Sequence, residues 1–178
     1  MTRGSAGTPE HEPTDVLYLD FDGVLHPEGV FLDAYRGIHL RGTFGRSLFE
    51  NAHLLAGELA PYPNVKLVLS TSWVRVLGYD KACAHIPLEL RVRCIGSTYH
   101  SRHHRPGRNG SGLRAPLRGE EVLADVARRN PRCWLAVDDA DEGWPPAARD
   151  NLVLTHPFSG ISAPGVLKRL RAALMRFS

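Results

Sequence analysis

The chain reads as an α/β protein, a doubly wound and mostly parallel sheet with helices on both faces. Three observations predict it. Four short runs are apolar without alternation, as strands covered on both faces are: VLYL (Val16 to Leu19), KLVLS (Lys66 to Ser70), CWLAV (Cys133 to Val137) and NLVLT (Asn151 to Thr155). Stretches with apolar residues at helical spacing stand between them. Strand and helix therefore alternate, an order that right-handed crossovers turn into a parallel sheet sandwiched by helices.

In chain order, residues 1–14 are rich in Gly, Thr, Pro and charge and lack periodicity, so a disordered leader is expected there. A single domain is expected over 15–178, since 178 residues with 43% hydrophobic content suffice for one core. After VLYL, a helix is predicted where Leu48, Phe49, Ala52, Leu55, Ala56 and Leu59 recur on one face. RVRCI (Arg91 to Ile95) alternates and suits an edge strand. The segment from about 97 to 117, containing SRHHRPGRNGSGLRAP, has the Gly, Pro, Ser and Arg of an exposed basic loop, which makes His100, His103 and His104 poor metal ligands. Val122, Leu123, Val126 and Ala127 mark the next helix; Val166 to Phe177, opening near Pro164, marks the last.

Composition excludes several classes. No apolar run is long enough to span a bilayer and the start has no secretory h-region, so no membrane partner and a cytoplasmic location are expected. Three cysteines without CxxC spacing argue against a disulfide framework and a zinc knuckle. Charge is uneven. Seven arginines and no acid lie between Arg91 and Arg118, so the rest of the chain is net acidic and an anionic partner is expected at this segment.

Polar groups cluster where three apolar strands end: Asp20 and Asp22 after VLYL, Ser70-Thr71-Ser72 after KLVL, and Asp138-Asp139 after CWLAV. In an open parallel sheet those ends share the rim at which ligands bind, so the three groups should converge. His26 is read as a pocket or turn residue, Trp73 and Trp144 as packing at the rim or stacking on substrate, and Glu120 and Glu121 as partners of a helix dipole.

VLYLDFDGVLHP resembles the first motif of the haloacid dehalogenase (HAD) superfamily, an apolar strand followed by DxDG[VT]. LSTSW resembles its second motif, Arg118 in LRGEEV stands where the superfamily places a basic residue, and WLAVDDADEGWP resembles its acidic fourth motif. The DGVLH opening, the TSW triplet and the short length look most like the small phosphatase domains of bacterial nucleic-acid-repair proteins. The resemblance implies a HAD-like Rossmannoid fold with a minimal cap or none, because Tyr79 to Pro116 is too short for a large lid.

It also implies roles. Asp20 would be the nucleophile and Asp22 the acid and base; Thr71 or Ser70, Gly23 and Arg118, with Arg114 as the fallback for Arg118, would bind phosphate. Mg2+ would be held by Asp20, the Asp22 carbonyl and Asp138, with Asp139 in support. The expected activity is a Mg2+-dependent phosphomonoesterase acting through an aspartyl-phosphate on a nucleotide or polynucleotide end. A phosphatase of a small phosphorylated metabolite and a non-catalytic nucleic-acid-binding module on the same fold are the alternatives.

Overall fold

A computed structural model describes residues 14–99 and 116–177. All of the expected leader but Thr14, and most of the expected basic loop, with His100, His103, His104 and Arg114, lie outside the described residues. The elements in chain order are β1 (Val16–Leu19), β2 (Val30–Asp33), β3 (Gly37–Leu40), α1 (Ala52–Leu59), β4 (Lys66–Leu69), α2 (Ser72–Leu77), α3 (Tyr79–Ala84), α4 (Leu88–Arg91), β5 (Cys94–Ser97), α5 (Arg118–Arg129), β6 (Trp134–Asp138), β7 (Leu152–Leu154) and α6 (Val166–Leu174). Short 3-10 turns at Pro146–Asn151 and Met175–Phe177 precede β7 and follow α6.

Five strands form one parallel sheet in the order β5-β4-β1-β6-β7. β1 is central because all four of its residues are buried and it carries partners on both edges. Its side chains divide by the period of two. Leu17 and Leu19 join the larger core with Leu55 and Leu59 of α1 and Leu170 and Leu174 of α6. Val16 and Tyr18 face the other way, toward Val122 of α5, Trp144 and Ala148. The apolar runs are thus sandwiched on both faces, as their lack of alternation predicted. Truncating one of these fully buried leucines to Ala should cost about 2–5 kcal/mol.

The order reverses at β1: the chain adds β4 and β5 on one side, then β6 and β7 on the other. That switch opens a crevice at the carboxyl ends of β1, β4 and β6. Residues 20, 70 and 138 occupy those three ends.

The strand expected at Arg91 to Ile95 begins later, at Cys94, because Leu88–Arg91 is helical. Arg93 explains the misread alternation. Its guanidinium donates to the carbonyls of Leu59, Tyr62 and Val65 at the carboxyl end of α1 (3.0, 2.6 and 3.2 Å), and Arg91 donates to Ala84 and Ile86 (3.1 Å each). Two of the seven arginines of the basic segment, Arg91 and Arg93, are therefore committed to backbone carbonyls.

No large cap is present among the described residues. The small antiparallel hairpin β2–β3 and helices α2 to α4 were not foreseen from the sequence. Cys83, Cys94 and Cys133 form no disulfide; Cys83 is buried and the other two half-buried. Among the described residues no helix is long and apolar enough to cross a membrane.

Candidate active site

The rim is built where strands end and the chain turns away from the sheet. β1 delivers Asp20, 3% exposed, whose amide donates to the Val137 carbonyl at 3.1 Å and so ties the β1 end to the β6 end. The chain then turns through Gly23 in the left-handed region (φ 66°). β6 delivers Asp138 and Asp139. One oxygen from each of Asp20, Asp138 and Asp139 lies within 4.8 Å of the others. Asp138 Oδ1 accepts from the Ala140 amide (3.0 Å), while Asp20 Oδ1 is buried and has no protein partner.

Arg118, at the start of α5, is the fixed cation of this cluster. Its Nε lies 3.3 Å from Asp138 Oδ2 and one terminal nitrogen 3.6 Å from Asp20 Oδ2. α5 starts there because Glu120 reaches back to the Leu117 amide (2.9 Å). Gly119 permits the helix start to sit against residue 143, since a Cβ would come within 2.5 Å of the Gly143 carbonyl. Glu121 lies in the first turn of α5, as its reading as a dipole partner has it, and makes further contacts. It is buried, pairs with Arg75 of α2, and brings Oε2 to 4.0 Å from Arg118. A chain Arg75, Glu121, Arg118 therefore runs from α2 to the carboxylates. The one-turn spacing of Arg118 and Glu121 was a readable signal for part of it; nothing in the sequence pointed to Arg75.

One arginine does not balance three carboxylates, two of them buried and the third half-buried. Burial foremost pushes the Asp20 carboxyl up to about 6, the Asp22 charge adding to this and Arg118 opposing it. Asp138 is pushed up to about 8 by burial and then by Asp20, again against Arg118. Asp139 is also pushed up to about 8, by burial, by a hydrogen bond with Glu28 and by Asp20. A hard divalent cation with oxygen ligands fits this set, because it would take the partnerless Asp20 oxygen and offset the mutual repulsion.

Thr71 caps α2 through its hydroxyl (3.4 Å from the Trp73 amide), and the same hydroxyl counters the rise of the Asp20 carboxyl, which puts it beside the cluster. Ser70 is buried at the β4 end with its hydroxyl without a partner. Gly23 is held by the Thr155 hydroxyl on its carbonyl at 2.6 Å.

Asp22 does not join the three. Its carboxylate turns aside, to His26 Nε2 (3.0 Å), Trp73 Nε1 (3.1 and 3.2 Å) and the Ser72 hydroxyl (3.4 Å). There it lines a groove of about 160 Å³ whose other walls include Val30, Leu32 and Ile38 of the hairpin and Val76 and Leu77 of α2. Trp73 and Trp144 are both buried, 5% and 4% exposed, which fits the packing reading of each rather than stacking on substrate. His26 is wholly buried, beyond what a turn residue before Pro27 would need.

Residues 16–166, from the first residue of β1 to the start of α6, match the family of HAD domains in Swiss Army Knife RNA repair proteins. The chain belongs to that family. Membership bears out the HAD resemblance, the Rossmannoid sheet and, in general terms, the hydrolase and phosphatase class of the superfamily. No curated protein and no solved structure matches the chain.

Proposed function

We propose that this HAD domain is a Mg2+-dependent phosphomonoesterase that works through an aspartyl-phosphate on Asp20, on the phosphorylated end of a nucleotide or polynucleotide. One observation carries the reading: Asp20, Asp138 and Asp139 converge at the sheet switch point, with a partnerless buried oxygen on Asp20 and Arg118 alongside.

Phosphoryl transfer asks for an in-line nucleophile and neutralisation of spreading oxygen charge. An Asp20 oxygen forms the new bond to phosphorus as the bond to the leaving oxygen breaks, and the leaving oxygen takes a proton from Asp22. Water then attacks the same phosphorus and gives a proton back to Asp22 as the Asp20–phosphate bond breaks, which splits hydrolysis into two displacements. Arg118 holds the nucleophile and an equatorial oxygen, and Thr71 or Ser70 donates to another. Mg2+ held by Asp20, the Asp22 carbonyl, Asp138 and Asp139 would neutralise phosphate and carboxylate enough for the two anions to meet.

The nucleic-acid end is supported by the family's description, by a cap that among the described residues is no larger than a hairpin, and by the acid-free segment before Arg118. A binding module without catalysis is disfavoured, since a carboxylate cluster beside bound phosphate would only repel it. The test is phosphate release with Mg2+ across mononucleotides, 5′- and 3′-phosphorylated oligonucleotides and sugar phosphates, beside Asp20→Asn. Release by wild type and none by a folded Asp20→Asn supports the reading; near wild-type release by Asp20→Asn overturns it.

A further inference from the structure

We propose that His26 and Trp73 are positioning residues for Asp22: two ring N–H groups hold its carboxylate in the single orientation from which it exchanges a proton with the leaving group. The inference rests on Asp22 acting as the acid in the reading above.

The geometry is specific at the level of individual atoms. The Phe49 amide donates to His26 Nδ1 at 3.2 Å, which leaves the ring proton on Nε2, the nitrogen 3.0 Å from Asp22 Oδ1. Trp73 Nε1 lies 3.1 and 3.2 Å from the two Asp22 oxygens and shares its single proton between them. Oδ1 thus accepts from two rings, whereas Oδ2 shares one ring proton and has only a long contact, 3.4 Å, with the Ser72 hydroxyl. Oδ2 is the less committed oxygen and the one available for proton transfer.

Neither ring can swing away. His26 packs edge-on against Phe49 (centroids 4.7 Å apart), and Trp73 packs edge-on against Phe21 (5.7 Å) and Phe49 (5.2 Å). Side-chain exposure is 0% for His26 and 27% for Asp22, so buried donors grip an acid that still reaches solvent. His26 comes from the loop after β1, which carries Asp22 itself, and Trp73 comes from α2, so the Trp73 contact ties that loop to the end of β4 while His26 holds the carboxylate within it. Without these contacts, an aspartate on a turn samples several rotamers, and a general acid loses rate when its proton is misplaced. The hairpin wall of the groove beyond Asp22, made by Val30, Leu32 and Ile38, carries no side-chain donor that could do the same work.

Leaving-group chemistry separates positioning from mere support of the fold. p-Nitrophenolate departs from p-nitrophenyl phosphate without needing a proton, whereas the alkoxide of a nucleotide-end phosphate needs one. The parameter is kcat/KM, which reports only events up to leaving-group departure. Trp73→Phe keeps most of the ring and removes the N–H. With Mg2+ present it is expected to lower kcat/KM on a phosphorylated oligonucleotide by about tenfold or more, and on p-nitrophenyl phosphate by less than about threefold. His26→Leu should show the same selectivity and His26→Gln, which keeps a side-chain N–H donor, should recover much of the loss. If Trp73→Phe lowers both substrates equally, or neither, the inference is wrong while the phosphatase reading stands. If wild type releases no phosphate from either ester, that reading fails and this inference fails with it.

Discussion

Gly23 and Asp139 occupy the same space in a way only glycine allows: a Cβ on residue 23 would lie 2.2 Å from Asp139 Oδ2. The close approach lets the second carboxylate of the fourth-motif pair reach the cluster, and φ of 66° at Gly23 already disfavours any other residue. Gly23→Ala should displace Asp139, destabilise the fold by about 1–3 kcal/mol through backbone strain, and reduce the stabilisation by Mg2+. Thermal unfolding with and without Mg2+ checks this. An unchanged Mg2+ shift in the variant would mean that Asp139 is not part of the cation site.

The raised carboxyls make the metal-free protein sensitive to pH in a defined direction. Asp138 titrates at about 8 in the folded chain against 3.8 for an unperturbed side chain. Between those values the native state binds more protons than the unfolded state, so stability falls as pH rises from about 4 to about 8 and levels off above. Urea unfolding across that range in chelator should show the fall, Asp138→Asn should lessen it, Asp20 and Asp139 supplying the remainder, and saturating Mg2+ should oppose it. Stability that rises with pH to the same extent in wild type and Asp138→Asn would contradict the assignment.

Asp138 is the more deeply set of the β6 pair, 1% exposed, and is oriented by both the Ala140 amide and Arg118; Asp139 is half-buried and is raised by the neighbouring Glu28. Asn at 138 is therefore expected to raise the Mg2+ concentration for half-maximal turnover more than Asn at 139. A metal titration of phosphate release measures both, and the reverse order would reassign the principal ligand.

Among the described arginines of the acid-free segment, Arg91 and Arg93 are engaged with carbonyls and Arg118 with carboxylates, so the expected polyanion contact is tested at Arg102, Arg105 and Arg108. Replacing Arg102, Arg105 and Arg108 together by Ala should flatten the salt dependence of KM for a phosphorylated oligonucleotide, by about 0.7 in log–log slope for each phosphate no longer neutralised. Arg91→Ala should leave that slope unchanged. A triple variant with the wild-type slope would return the loop to the status of a solvated connector.

What the sequence by itself determined follows from short-range pattern. Apolar runs without alternation located β1, β4, β6 and β7 to within a residue or two, and the polar residues closing three of them located the rim, because a parallel sheet places all such ends together. Family membership was equally readable, since four motifs in order span most of the chain. Tertiary structure alone decided the rest. That Arg93 caps α1 rather than sitting in a strand, that Glu121 joins Arg75 to Arg118, and that Asp22 faces Trp73 instead of the other carboxylates are contacts between residues about 30 to 50 positions apart. Periodicity records which face of an element is buried, but hydrogen bonds between polar side chains leave no periodic trace. Their partners are chosen by how the helices settle on the sheet.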